Sequence, residues 1–317
     1  MARANTAFYG RGDALAHFTT APEISQAFGE CLGLWAAITW EAMGRPAPVL
    51  LAELGPGRGT LMADAWRAIT QMAPGFAAAA RVALVETSPA LIAAQRARLA
   101  DLPASWHPSA EALPPGPAII IANEFLDALP IRQFIRRGDA WMERFVEAGV
   151  FTEHPTDMPL APPLAPDPDG SIREHCAAAH DVVRLLAIRR ATALFLDYGP
   201  AESGPGDSLQ AIRDHARADP LAEPGSADLT AHVDFAALAE TARAAGATTH
   251  GPIPQGLFLQ RLGLNTRAAM LAQSAPRQAG LILSGAQRLT APEGMGRLFK
   301  ALCLCDPSLP TPIGFET

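Results

Sequence analysis

The stretch Glu53-Leu54-Gly55-Pro56-Gly57-Arg58-Gly59 puts a carboxylate two residues ahead of three glycines at alternate positions. Lacking a β-carbon, glycines in a turn between a strand and its helix let backbone N–H groups and the helix N-terminus come close to a ligand. A dinucleotide turn is spaced G-x-G-x-x-G, and the last of those positions is Thr60 here, so a nicotinamide dinucleotide fits poorly. A P-loop ends in Gly-Lys-Ser or Gly-Lys-Thr, which this turn lacks. Glu53 sharpens the choice, because a carboxylate repels a pyrophosphate and attracts a cationic amino group such as that of a methionine moiety. A second acid, Glu86, ends the next apolar run, Arg81 to Glu86, the position from which a carboxylate accepts ribose hydroxyls. Turn and acids together describe a site for S-adenosylmethionine (SAM), formed by Glu53, Gly55, Pro56, Gly57, Gly59 and Glu86. The alternative is a structural turn flanked by two surface acids.

Methyl transfer from a sulfonium is an in-line displacement that rests on positioning, which supplies roughly 7 to 11 kcal/mol and requires neither a metal nor a covalent intermediate. A guanidinium acceptor, with a pKa above about 12, calls for carboxylates able to make paired hydrogen bonds. Asn123-Glu124-Phe125-Leu126-Asp127 follows the apolar run Ala118 to Ala122. It therefore falls at the carboxyl end of a strand, where open α/β sheets bind ligands. Glu124 and Asp127 are the leading acceptor-side candidates, with a turn or helix-capping role as the alternative for Asp127. Glu23 is a candidate that the dipole of a following helix would also explain. His232, within Thr230-Ala231-His232-Val233-Asp234, titrates near neutrality and is a candidate base or a structural histidine. Asp197 either lines the acceptor pocket or holds loop N–H groups, and Trp106 and His107 either flank an adenine or belong to the core.

These residues need a scaffold that brings strand ends together. Val49 to Glu53, Arg81 to Glu86, Ala118 to Ala122 and Thr192 to Asp197 are apolar runs with strand character. Helical spacing follows in Leu61 to Gln71 and, after Ser88-Pro89, in Leu91 to Leu99. Continuous apolar strands alternating with helices predict an α/β fold, a mostly parallel, doubly wound, Rossmann-like sheet covered on both faces. Between the last two strands, Ile131 to Ile135 and Trp141 to Val146 predict a hairpin, Glu153 to Gly170 a proline-rich loop, and Ile172 to Arg189 a helix. A helix over Phe235 to Ala245, ended by Gly246, and a last strand over Arg297 to Leu304 complete the expected elements. The expected organisation is an N-terminal helical segment, 1–48, and a domain over 49–317 with an insertion at about 131–190.

Composition narrows the setting. In 317 residues, 49% hydrophobic and 18% charged, a sizeable packed core is expected. A net charge of -7 with no basic block argues against a nucleic-acid partner. No apolar run is long enough to insert in a membrane, and the first residues lack the order of a signal peptide, so the cytoplasm is the expected compartment. Cys31, Cys176, Cys303 and Cys305 are too scattered for a zinc site and are expected to be reduced. The oligomeric state is not legible.

Six separated stretches carry a family resemblance. They are Thr19-Thr20-Ala21-Pro22-Glu23-Ile24-Ser25-Gln26-Ala27-Phe28-Gly29-Glu30, Glu53 to Met62, Asn123-Glu124-Phe125-Leu126-Asp127-Ala128-Leu129-Pro130, Leu196-Asp197-Tyr198-Gly199, Asp228 to Phe235 and Gln255-Gly256-Leu257-Phe258-Leu259. In this order they resemble the MidA-like family, class I SAM-dependent methyltransferases that include the mitochondrial respiratory complex I assembly factor. The likeness runs from about residue 8 to Gly314-Phe315-Glu316. It implies a Rossmann-like class I fold, SAM as methyl donor and a protein arginine as acceptor, in the mitochondrial member on a complex I subunit. Carried over by position, it adds Asn123 and Thr20 to the cofactor set and places Glu23 beside Glu124, Asp127 and His232 on the catalytic side. Relatives carry a helical segment before the Thr19 motif that is expected to be missing or shortened here. Ala16-His17-Phe18 stands where they tend to read Gly-Asp-Phe. Two other functions fit the same residues: a small-molecule methyltransferase, because the cofactor half of such a fold says little about the acceptor, and a non-catalytic assembly protein.

Overall fold

The computed structural model describes residues 1–10, 19–156 and 167–316. Ala16-His17-Phe18 and much of the expected proline-rich loop lie outside the described residues. Helices α1 (Ala2–Tyr9), α2 (Ala21–Ile24) and α3 (Gln26–Ala42) precede β1 (Val49–Leu54). There follow α4 (Thr60–Met72), α5 (Pro74–Ala79), β2 (Ala80–Val85), α6 (Pro89–Arg98), β3 (Ala104–His107) and β4 (Ala118–Asn123). Next come β5 (Arg132–Arg137), β6 (Ala140–Glu147), β7 (Val150–Pro155), β8 (Ile172–His175), α7 (Ala177–Ile188) and β9 (Thr192–Tyr198). The short strands β10 (Gln210–Arg213), β11 (Ala216–Ala218) and β12 (Asp228–Thr230) lead to α8 (Phe235–Ala244) and β13 (Thr248–Pro254). Helices α9 (Gln255–Arg261), α10 (Leu264–Ser274), α11 (Ala279–Thr290) and α12 (Met295–Leu298) end in β14 (Phe299–Cys305).

Seven strands form one sheet in the order β13-β14-β9-β4-β1-β2-β3. The run from β9 to β3 is parallel, while β14 is antiparallel to both of its neighbours. This is the doubly wound, mostly parallel sheet that the apolar runs predict. Alternation along β1 explains its burial: Val49 and Leu51 join a core with α3, α4 and the C-terminal helices, while Leu50, Ala52 and Leu54 join a second core with α7 and α8. Chain order reverses between β1 and β4, and the crevice at such a point is where this sheet type binds ligands.

The inserted hairpin grows into a four-stranded sheet, β7-β6-β5-β8. Two expectations change here. Ile172 to His175 is strand rather than helix, because it pairs antiparallel with β5 from Ile135↔Ile172 to Arg132↔His175 and so satisfies an edge that would otherwise expose unpaired backbone groups. The helix starts only at Ala177, and Val150 to Pro155 likewise extends the sheet into the start of the expected loop. At the other end, Met295 to Leu298 is a helical turn and the last strand begins at Phe299. A helix does precede the Thr19 motif: α1 packs Ala4 against Ala211, Ala227 and Leu229 of the β10–β12 region. Cys31, Cys303 and Cys305 are buried, Cys176 is partly so, and all four are free thiols. Among the described residues no helix is long and apolar enough to cross a membrane, and no cluster of three metal-ligating side chains occurs.

Candidate functional site

A cavity of about 690 Å3 lies at the carboxyl ends of β1, β2 and β4, within the size range of small-molecule sites. Its lining brings together Glu53, Gly55, Pro56, Gly57, Glu86, Thr20, Asn123, Glu23 and Glu124. Residues of α1, among them Asn5 and Tyr9, form another wall.

The turn takes its shape from glycine. Gly55, Gly57 and Gly59 have φ of 64°, 53° and 76°, the left-handed region that other residues avoid. Gly59 lies outside the cavity lining and instead caps the start of α4. The N–H of Gly55 donates to the carbonyl of Val85 at 3.0 Å and ties the end of β1 to β2. A β-carbon on Gly55 would lie 2.8 Å from Cδ2 of Phe125. Gly55→Ala is therefore expected to lower stability by about 1–2 kcal/mol through backbone strain alone and to weaken SAM binding. Thermal unfolding and calorimetry check this, and binding equal to the parent's would refute it.

Glu53 is buried, and burial pushes its carboxyl up to about 8 despite an N–H bond from Met62. Its Oε2 has no hydrogen-bond partner, and neither has the buried Oδ1 of Asn123. Two buried, unpartnered acceptors on residues that line one cavity suit a ligand that brings N–H groups, as the amino end of SAM does. Glu86 is raised by burial as well; Thr87 and Ser88 N–H groups and the Gln95 amide hold it. Trp106 stays out of the lining and donates to Gln95 at 2.9 Å. The cavity is walled there by Pro108 to Glu111 instead of Trp106 or His107.

Glu124 follows β4 with φ of 49°, a conformation that costs a non-glycine residue about 1–2 kcal/mol. Its N–H donates to the carbonyl of Leu196 at 2.8 Å. Oε1 accepts from the N–H of Ala21 at 2.8 Å and from Nδ2 of Asn123 at 3.1 Å. Burial raises its carboxyl to about 7. Glu23 accepts from the Thr60 hydroxyl at 2.5 Å, so the Thr19 motif bridges the glycine turn and Glu124. The loop after Glu124 is held by Asp197, whose Oδ2 accepts from the N–H groups of Phe125, Leu126 and Asp127 at 3.2, 2.9 and 3.2 Å.

Two sequence candidates end up elsewhere. Asp127 is outside the cavity lining, buried, and pushed well up by burial and by the charges of Asp197 and Asp228. Because Asp197 receives the loop N–H groups, Asp127 is the partner that keeps its proton. His232 is exposed and lines a different, larger cavity, with its ring edge against Tyr198 at 5.5 Å between centroids. Neither lines the cavity that holds the glycine turn. Gln95 and the N–H of Ala21 carried no sequence signal: one reads as a polar helix residue and the other is backbone.

The comparisons agree with this geometry. A family model described as "Putative S-adenosyl-L-methionine-dependent methyltransferase" matches residues 31–253. The chain is 36% identical to a Drosophila melanogaster "Protein arginine methyltransferase NDUFAF7 homolog, mitochondrial", over 90% of this chain and 74% of that protein. It is 33% identical to the Homo sapiens "Protein arginine methyltransferase NDUFAF7, mitochondrial", over 90% of this chain and 73% of that one. A crystal structure from Burkholderia thailandensis, of a "likely methyl transferase" bound to S-adenosyl-homocysteine, superposes with a TM-score of 0.81 at 27% identity. That match covers 97% of this chain and 81% of the other. With the glycine turn, the two acids and the strand order, these matches show that the chain belongs to the MidA-like family of SAM-dependent methyltransferases, with SAM as its cofactor.

Proposed function

We propose that this chain methylates a guanidinium nitrogen of an arginine in a protein, the acceptor being a subunit of a complex I type respiratory enzyme or its bacterial counterpart. The observation that carries the reading is Glu124, a carboxylate lining the SAM cavity at the end of a central strand and raised to about 7. Such a group is ionised just above neutrality, where it binds a cation, and is basic enough to take a proton. A guanidinium offers planar, paired N–H donors that match a carboxylate. The surroundings favour the same charge, since Glu23, Glu86, Glu111 and Glu124 line the cavity with Arg58.

SAM, when bound, supplies an electrophilic methyl group on a sulfonium. Glu53 and Asn123 offer their open acceptor atoms to its amino end, and Glu86 offers a lone pair to the ribose. Glu124 orients the guanidinium and accepts the proton its nitrogen gives up. Asp197 keeps the loop after Glu124 in place. The relatives named protein arginine methyltransferases support the acceptor class.

The test is incubation with labelled SAM and membrane or complex I fractions. Label on a protein band, recovered as methylarginine, is the expected result. Label found only on lipid or small molecules would overturn the reading.

A further inference from the structure

Gln95, on α6, is fully buried, and its amide nitrogen donates only to groups of the donor site. Nε2 donates to the Gly57 carbonyl at 2.8 Å and to Oε2 of Glu86 at 3.2 Å. Oε1 accepts from Nε1 of Trp106 at 2.9 Å. One side chain thus joins the glycine turn after β1, the acid after β2 and the strand β3. The other oxygen of Glu86, Oε1, accepts from the N–H groups of Thr87 and Ser88 at 2.8 and 2.9 Å.

A carboxylate offers about four lone-pair sites, two on each oxygen. In Glu86 three of them are filled by the chain's own donors, which leaves one, on Oε2. An acid that takes both ribose hydroxyls needs two. Freeing the second would require Gln95 to abandon Glu86, leaving an amide hydrogen unpaired in a fully buried place, which is unfavourable.

We propose that Gln95 is a positioning residue of the donor site, and that by occupying Oε2 it restricts Glu86 to a single ribose hydroxyl. The proposal concerns the cofactor and does not depend on which acceptor the enzyme uses. The second ribose hydroxyl is then left to solvent.

Competition calorimetry on the full chain with S-adenosylhomocysteine and its 2′-deoxy and 3′-deoxy analogues tests it. One analogue is expected to bind about tenfold or more weakly than the parent nucleoside, the loss of one bond to a charged acceptor. The other should bind as the parent does. Equal losses for both analogues, or a loss for neither, would overturn the proposal. In Gln95→Met the second lone pair of Oε2 is free, so both analogues should lose affinity relative to the parent nucleoside; a pattern still one-sided would remove Gln95 from the explanation.

Should that variant fail to fold, Gln95→Glu keeps an acceptor for Trp106 and the length of the side chain. Its carboxyl faces Glu86, and the two charges repel once ionised. Affinity for S-adenosylhomocysteine should then fall more steeply than the parent's as pH rises from about 6 to about 9. An unchanged pH profile would count against the arrangement.

Discussion

Glu124→Gln is expected to lower kcat by about 10²- to 10⁴-fold, the contribution of a positioned acid–base group, while leaving the SAM dissociation constant close to the parent's. The substitution keeps the size of the side chain and an acceptor oxygen for the N–H of Ala21 at 2.8 Å. It removes the charge that holds a cation and the base that takes its proton. The parent's activity should also depend on pH in a defined direction. With its carboxyl at about 7, Glu124 is increasingly protonated below neutrality, so activity falls as pH drops through that value. The variant should lack this limb. Single-turnover rates with labelled SAM across the neutral range check both statements, and a variant retaining full activity would exclude Glu124 from the chemistry.

Glu53→Gln should separate binding from stability. Glu53 is raised to about 8 in the fold, well above its ordinary value of about 4.3 when exposed. A carboxyl raised in this way contributes stability that is fully present below the unfolded value and is lost as pH rises through the folded one. The difference amounts to something on the order of 5 kcal/mol between the two limits. The melting temperature of Glu53→Gln, measured relative to the parent, should therefore climb as pH increases from about 5 to about 9. Its SAM affinity should fall about tenfold to a hundredfold, because a charge-assisted bond to a buried acceptor is lost. A linked measurement is available by calorimetry in buffers of different ionisation enthalpy. At pH 7 the parent should release close to one proton on binding a cation beside Glu53, and the variant should release none at that position. A parent that releases no proton would refute a Glu53 that is protonated when free and ionised beside the bound cation.

The glycine turn and the strands behind it were legible because they depend on backbone and periodicity. β1, β2, β4 and β9 are almost wholly buried, so their apolar runs stand out, and the turn demands glycine where φ is positive. Side-chain direction beyond a strand end was not legible. Glu124 and Asp127 are three residues apart in one motif, yet only the first lines the cavity, because Asp197 gathers the N–H groups between them into a tight loop. His232 lies in the other cavity for a related reason: it follows the short strand β12, which belongs to the small sheet and pairs with β10. Ile172 to His175 shows the limit of local pattern, since its strand character comes from a partner about 40 residues earlier in the chain. Gln95 marks the same limit inside the site: nothing in a stretch such as Ala93-Ala94-Gln95-Arg96 separates a structural hub from a solvated helix face.

The left-handed backbone at Glu124 has a bearing on engineering. A residue at φ of 49° is more comfortable as glycine or asparagine, and a half-buried carboxyl is less comfortable than a neutral side chain. Any selection for heat resistance alone would push this position away from glutamate. Variants that survive such a selection with glutamate replaced would be hardier proteins and poorer enzymes, so directed evolution of this chain must screen for turnover at every round.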